Sequence, residues 1–291
     1  MKTLSLLLAL LSASLSPLFA QVKVEIALDQ EHFLVGEKVT VPVRITNRSG
    51  QTLKFGAEPD WLTFSIESRD GFVVVKHGEA PVMNEFTLES GQVATRSVEL
   101  TPYFELNRIG RYRVTATVRL KQWETQFTTK PGAFDVINGA KLWSQDFGVP
   151  AAGGETPRPP EVRRYTLEQV NFLRSQLRLY LRITDESDGR ILKVFPLGPM
   201  VSFSMPERQI DKLSQLHVFF QNGARSFNYL VLTPDGEIIT RETYEYAPTS
   251  RPRLQLNDES KVVVAGGVRK VTSADIPEPK PVEANVTTPK P

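Results

Sequence analysis

The chain has 291 residues, 35 Lys plus Arg against 33 Asp plus Glu, and a net charge of +2. Charges of both signs are interspersed, which argues against nucleic acid as the main partner, because phosphate binding needs a concentrated basic face. The absence of cysteine excludes disulfides, thiolate metal sites, a Cys nucleophile and the lipidated cysteine of a bacterial lipoprotein leader.

Residues 1–20 run from Lys2 through the apolar stretch 4–11 to Pro17 and Ala20. That order predicts a secretory signal peptide cleaved after Ala20. Its apolar stretch is broken by Ser12, Ser14, Ser16 and Pro17 and falls short of the ~20 residues a spanning helix needs. The expected product is extracytoplasmic, periplasmic or secreted, with no transmembrane span after cleavage. About 270 residues then remain, enough for two domains with their own cores.

After the leader, Val22, Val24, Ile26 and Leu28 alternate with less apolar neighbours, the period of a half-buried strand. Val39, Val41, Val43 and Ile45 do the same. Pro42 lies inside that run and predicts an edge strand or a bulge. Leu62, Phe64 and Ile66 alternate, and Asp70-Gly71 predicts a hairpin returning through 72–75. Short runs follow around Phe86 and Val98, and residues 109–120 alternate over one long strand. About seven short strands with no helical period predict a β-sandwich.

Three segments carry a resemblance: 41–53 (VPVRITNRSGQTL), 89–93 (ESGQV) and 110–118 (GRYRVTATV). They resemble bacterial extracytoplasmic immunoglobulin-like modules and are similar to the BsuPI-type proteinase-inhibitor domain, over Gln21 to Val136. The resemblance implies an immunoglobulin-like sandwich for 21–138. The inhibitor's reactive region has no mapped counterpart in this chain, so inhibition is not carried over.

Residues 139–271 are predicted as a second, antiparallel β-meander domain. Within it, 148–160 is rich in Pro and Gly and reads as a loop, or alternatively as a linker between domains. Leu177, Leu179, Leu181 and Ile183 alternate. Residues 165–172 suit a helix face or a bulged strand, and the strand is preferred. A weak repeat recurs in 179–194 (LYLRITDESDGRILKV), 228–241 (NYLVLTPDGEIITR) and 253–264 (RLQLNDESKVVV). Each reads strand, acidic turn, strand. The first two turns lie about 47 residues apart, near one propeller blade, so the hairpins are expected to be blade-like. The Pro-rich tail, 272–291, is expected to be extended and disordered.

Catalytic signatures are missing from the sequence: no G-x-S-x-G, no H-E-x-x-H, no P-loop. No cofactor and no metal are expected. The acidic run 185–189 reads as a hairpin turn. Glu207 with Asp211, and Glu242 with Glu245, are acids whose spacing alone carries no chemistry. His217 opens the apolar run 218–220, and a pocket placing it within reach of an acid and a hydroxyl would revive an enzyme reading. Trp61 and Trp123 are candidate stacking platforms for sugar rings, against the alternative of core plugs. Arg225, Arg241, Arg251 and Arg253 crowd the last strands with Tyr244 and Tyr246 as a candidate anionic-ligand or partner patch, against the alternative of a solvated strand face.

Together these readings predict a non-enzymatic binding or scaffold protein of the cell envelope, whose partner is an envelope protein or a glycan. The alternatives are a carbohydrate-binding accessory module and a proteinase inhibitor.

Overall fold

Strands that are apolar on one face need a second layer, and here the alternating runs pair into sheets that supply it. The computed structural model describes residues 22–150, 161–173 and 176–276. The expected leader, most of the segment 148–160 and the tail beyond 276 lie outside the described residues. The chain is all-β. Among the described residues the one helical element is a 3-10 turn, Lys121–Trp123. The chain divides into two compact units, Met1–Asn138 and Gly139–Pro291.

Unit 1 contains β1 (Val22–Ile26), β2 (His32–Leu34), β3 (Thr40–Asn47), β4 (Leu53–Phe55), β5 (Leu62–Ser68), β6 (Phe86–Leu88), β7 (Val93–Glu99), β8 (Gly110–Leu120), β9 (Thr125–Thr128) and β10 (Gly132–Ile137). One sheet runs β1-β3-β7 and the other β2-β10-β8-β5, with β9 on β8 and a small β4-β6 pair. Val41, Val43 and Ile45 of β3 and Tyr112, Val114, Ala116 and Val118 of β8 meet in a shared core. The Tyr112 hydroxyl donates to the Arg108 carbonyl (2.6 Å), the tyrosine corner found in immunoglobulin-type sandwiches.

Two local expectations are corrected. The strand holding Pro42 is central, flanked by β1 and β7. Proline is tolerated because its missing N–H falls on the β1 side, where β1 has ended and one bond, from Ala27 N–H to the Pro42 carbonyl (3.0 Å), closes the ladder. The hairpin at Asp70-Gly71 does not form either, and residues 72–75 are not a strand. The Asp70 carboxylate instead accepts from the Arg111 backbone N–H (2.7 Å) and guanidinium (3.2 and 3.1 Å). Phe72 then folds edge-on to Tyr112, with ring centroids 5.6 Å apart.

That backbone bond, more than the guanidinium, holds the Asp70 carboxyl below the usual carboxylate range. A depressed acid contributes stability that is present above its unfolded pKa and lost as pH falls through its folded one. Asp70→Asn is therefore expected to be less stable than the wild type at pH 7. The gap should close as pH falls below about 4, as read by urea unfolding across pH.

Unit 2 contains β11 (Ala140–Gly148), β12 (Val162–Leu173), β13 (Gln176–Asp185), β14 (Ile191–Met200), β15 (Glu207–Ile210), β16 (Leu216–Gln221), β17 (Ser226–Leu232), β18 (Ile238–Glu245), β19 (Arg253–Leu256), β20 (Val262–Ala265) and β21 (Val268–Lys270). Gly148 pairs with Val162, so the segment between them joins two paired strands of one sheet. β12 is a strand, with a register shift between Asn171 and Leu173.

The single expected meander is in fact two, β11-β12-β13-β14 and β15-β16-β17-β18-β21, plus the separate hairpin β19-β20. The reason lies in β16 and β17, which are apolar on both faces. Leu216, Val218, Phe220, Leu230 and Leu232 pack with Tyr165, Leu167, Leu181 and Ile183 of the first sheet. Phe219, Phe227, Tyr229 and Val231 point the other way and are covered by Leu254 and Val264 of the hairpin. A sheet buried on both faces needs a layer on each side. The sequence repeat has a structural counterpart: β13-β14 and β17-β18 are the third and fourth strands of each meander.

Candidate functional site

The turn after β18 places a cleft on the outer face of the second sheet. Tyr246 packs edge-on to Phe227, centroids 5.2 Å apart at 71°, and Phe219 stacks on Phe227 at 5.2 Å. The Arg225 guanidinium lies 5.9 Å from the Tyr246 ring and that of Arg251 5.5 Å from the Phe227 ring. Two arginines thus lie over neighbouring aromatic rings, within cation–π range, with guanidinium donors that the rings do not use.

Arg251 and Arg253 line a cleft of about 480 Å³ with Glu207, Ser250 and Gln255. The Gln255 carboxamide oxygen, with its amide oriented by this network, accepts from Arg253 Nε (2.9 Å) and a terminal nitrogen (2.8 Å). Glu207 is spent on the Leu254 backbone N–H (2.7 Å). Among the described residues no carboxylate forms an ion pair with Arg225, Arg251 or Arg253, although other arginines of unit 2 are paired, such as Arg163 with Glu161 and Asp235.

The Gly266-Gly267 turn positions this edge. Both residues have positive φ, 75° and 65°. A Cβ on Gly266 would lie 2.7 Å from the Arg251 carbonyl oxygen, and one on Gly267 would lie 2.6 Å from that of Glu245. Only glycine lets the backbone come this close, and Ser250 Oγ accepts from the Gly267 N–H (3.0 Å).

Of the predicted patch, Arg251 and Arg253 line the cleft together, whereas Arg225 does not line it and reaches Arg251 only through the Tyr246 and Phe227 rings. Arg241 does not line it either. It pairs with Leu230, whose side chain faces the first sheet, so Arg241 lies on the opposite face from the cleft. Trp61 and Trp123 belong to unit 1. Trp61 is corrected from a partly exposed platform to a core residue: it is 3% exposed, its Nε1–H donates to the Val82 carbonyl (2.6 Å), and its ring packs with Phe55 and Phe86. It presents no flat face to a sugar. Trp123 is half-buried, edge-on to Phe127 at 6.5 Å.

His217 does lie within reach of an acid and a hydroxyl. Its Nδ1 is 2.8 Å from the Tyr229 hydroxyl and its Nε2 3.4 Å from Asp211 Oδ2. Asp211 Oδ1 meanwhile accepts from the backbone N–H groups of Leu213 and Gln215 (2.9 and 2.8 Å). His217 and Tyr229 are buried and Asp211 is half-buried; none of the three lines the cleft, and their contacts tie the 211–215 turn to the sheet. Glu242 and Glu245 are engaged by Arg269 and Lys270. The run 185–189 is a turn, with Asp185 accepting from the Ser187 N–H (2.9 Å).

The fold and site thus define an all-β protein with an arginine-lined, open cleft on its second unit. No protein-family model matches the chain, and no curated protein matches it significantly. Among the described residues no helix is long and apolar enough to cross a membrane.

Proposed function

We propose that this chain is an exported, non-enzymatic binding protein of the cell envelope, and that its second unit holds an anionic group of its partner. The observation that carries this reading is the pair Arg251 and Arg253 in one cleft: both exposed, one over the Phe227 ring and the other braced by Gln255, and neither with a carboxylate partner among the described residues. Guanidinium forks of this kind match carboxylate, sulfate or phosphate oxygens in bidentate geometry. Such a site suits an acidic envelope glycan or an acidic protein surface.

The test is a binding titration of the purified chain with polygalacturonate, heparin and a neutral glucan at low and moderate salt. The acidic polymers are expected to bind and the neutral one not to, with binding weakening as salt rises. Arg251→Glu with Arg253→Glu should lower affinity at least about tenfold, the loss of a charge-assisted contact worth about 1.5–3 kcal/mol. Equal binding of the neutral glucan, or indifference to the double substitution, would overturn the reading.

A further inference from the structure

Unit 1 carries a second surface, independent of the arginine cleft. Among the described residues strand β7 pairs on one side only, with β3. The Leu100 N–H donates to the Val39 carbonyl (2.8 Å) and the Asn47 N–H to the Gln92 carbonyl (3.1 Å). Even-numbered residues of β7 therefore face β3. The N–H and C=O groups of Thr95, Ser97 and Glu99 point away from β3, along the strand's other edge, where the Thr95 carbonyl also accepts from the Arg96 guanidinium at 3.4 Å.

Beside that edge lies a groove of about 690 Å³, lined by Val82 and Met83 on one wall and by Arg96, Val98, Glu99 and Tyr103 on the other. The outer wall is held in place by the Trp61 indole, which donates to the Val82 carbonyl. It is also held by Gly56, whose φ is 83° and where a Cβ would come within 2.3 Å of the Asn84 carbonyl oxygen. The groove is thus preformed, which lowers the cost of ordering on binding. The Arg96 guanidinium lies over the Phe86 ring, 3.9 Å from its centroid. Among the described residues it has no carboxylate partner, whereas Glu99 is paired with Lys38 (3.0 Å).

We propose that β7 and this groove form a strand-addition site for an extended peptide segment of a partner protein. The segment would carry an apolar side chain for the wall at Val82 and Met83 and an acidic one for Arg96. Backbone of another chain in extended form is what satisfies alternating N–H and C=O groups at strand spacing, and side-chain pockets then select the sequence. A second copy of this chain fits less well, because its own wall would stand beside its own β7.

The probe is a phage-displayed library of linear heptapeptides panned on the full chain. Expected winners alternate apolar residues and contain Asp or Glu, and a synthetic winner slows amide exchange at Thr95, Ser97 and Glu99. Ser97→Pro removes an outward donor without removing a bond to β3, and should weaken the winner at least tenfold with the circular dichroism unchanged. Arg96→Gln should weaken it and flatten its salt dependence. If Ser97→Pro does not fold, Met83→Asp changes an exposed wall residue (62%) and should cause the same loss. No enrichment, equal binding to these variants, or a wild-type dimer dissolved by Ser97→Pro would overturn the proposal.

Discussion

Tyr112→Ala is expected to destabilise unit 1 by about 3–5 kcal/mol, the range for truncating a fully buried aromatic. The ring is fully buried, stacks on Phe134 at 5.3 Å and meets the edge of Phe72. Its removal takes three packed rings apart at the junction of β8, β10 and the 70–76 segment. Tyr112→Phe keeps the packing and loses only the bond to the Arg108 carbonyl, costing about 1 kcal/mol. Thermal unfolding separates the two: alanine should lower the midpoint by about 15 °C or more and phenylalanine by about 5 °C. Equal shifts would mean that the hydroxyl, rather than the ring, anchors the corner.

Breaking the Glu168–Arg182 pair is the second large effect. The two side chains are only 11% and 13% exposed, and Arg182 Nε donates to Glu168 Oε2 at 3.1 Å. They sit diagonally across β12 and β13, since Thr166 pairs with Arg182 and Glu168 with Tyr180. Glu168→Leu leaves a guanidinium buried without its carboxylate and should cost about 3–5 kcal/mol. Replacing both with leucine removes the charges together and should recover most of that loss, because the desolvation cost of the pair disappears with it. A double-mutant cycle by urea unfolding reads the difference. Similar losses in the single and double variants would place the energy in side-chain packing rather than in charge.

Alternation made the strands legible, and it did so best where both neighbours of a residue were polar. Residues 110–120 and 177–183 fell into β8 and β13. What stayed hidden depended on partners distant in sequence. Asp70-Gly71 has the composition of a hairpin turn, yet the Asp70 carboxylate is claimed by Arg111, 41 residues away. Trp61 follows Pro59-Asp60 and suits either a stacking platform or a core plug, and only the 80–84 segment that closes over it decides for the core. Arg241 and Arg253 look equivalent in the sequence, but strand register sends Arg241 to the opposite face. The open edge of β7 had no local signal, because an edge is defined by which strand fails to pair. The Gly266-Gly267 pair was such a signal for the cleft, readable as a close backbone approach.

The double burial of β16 and β17 bears on the order in which unit 2 opens. A strand covered on both sides can exchange its amide hydrogens only when an outer layer has already left, so these two strands form the slowest-exchanging part of the unit. The hairpin β19-β20 is that outer layer on one side, and it also carries Arg253 and Gln255. A ligand bound at the proposed cleft would therefore hold an element of that outer layer, and would slow exchange at inner-sheet amides it never touches.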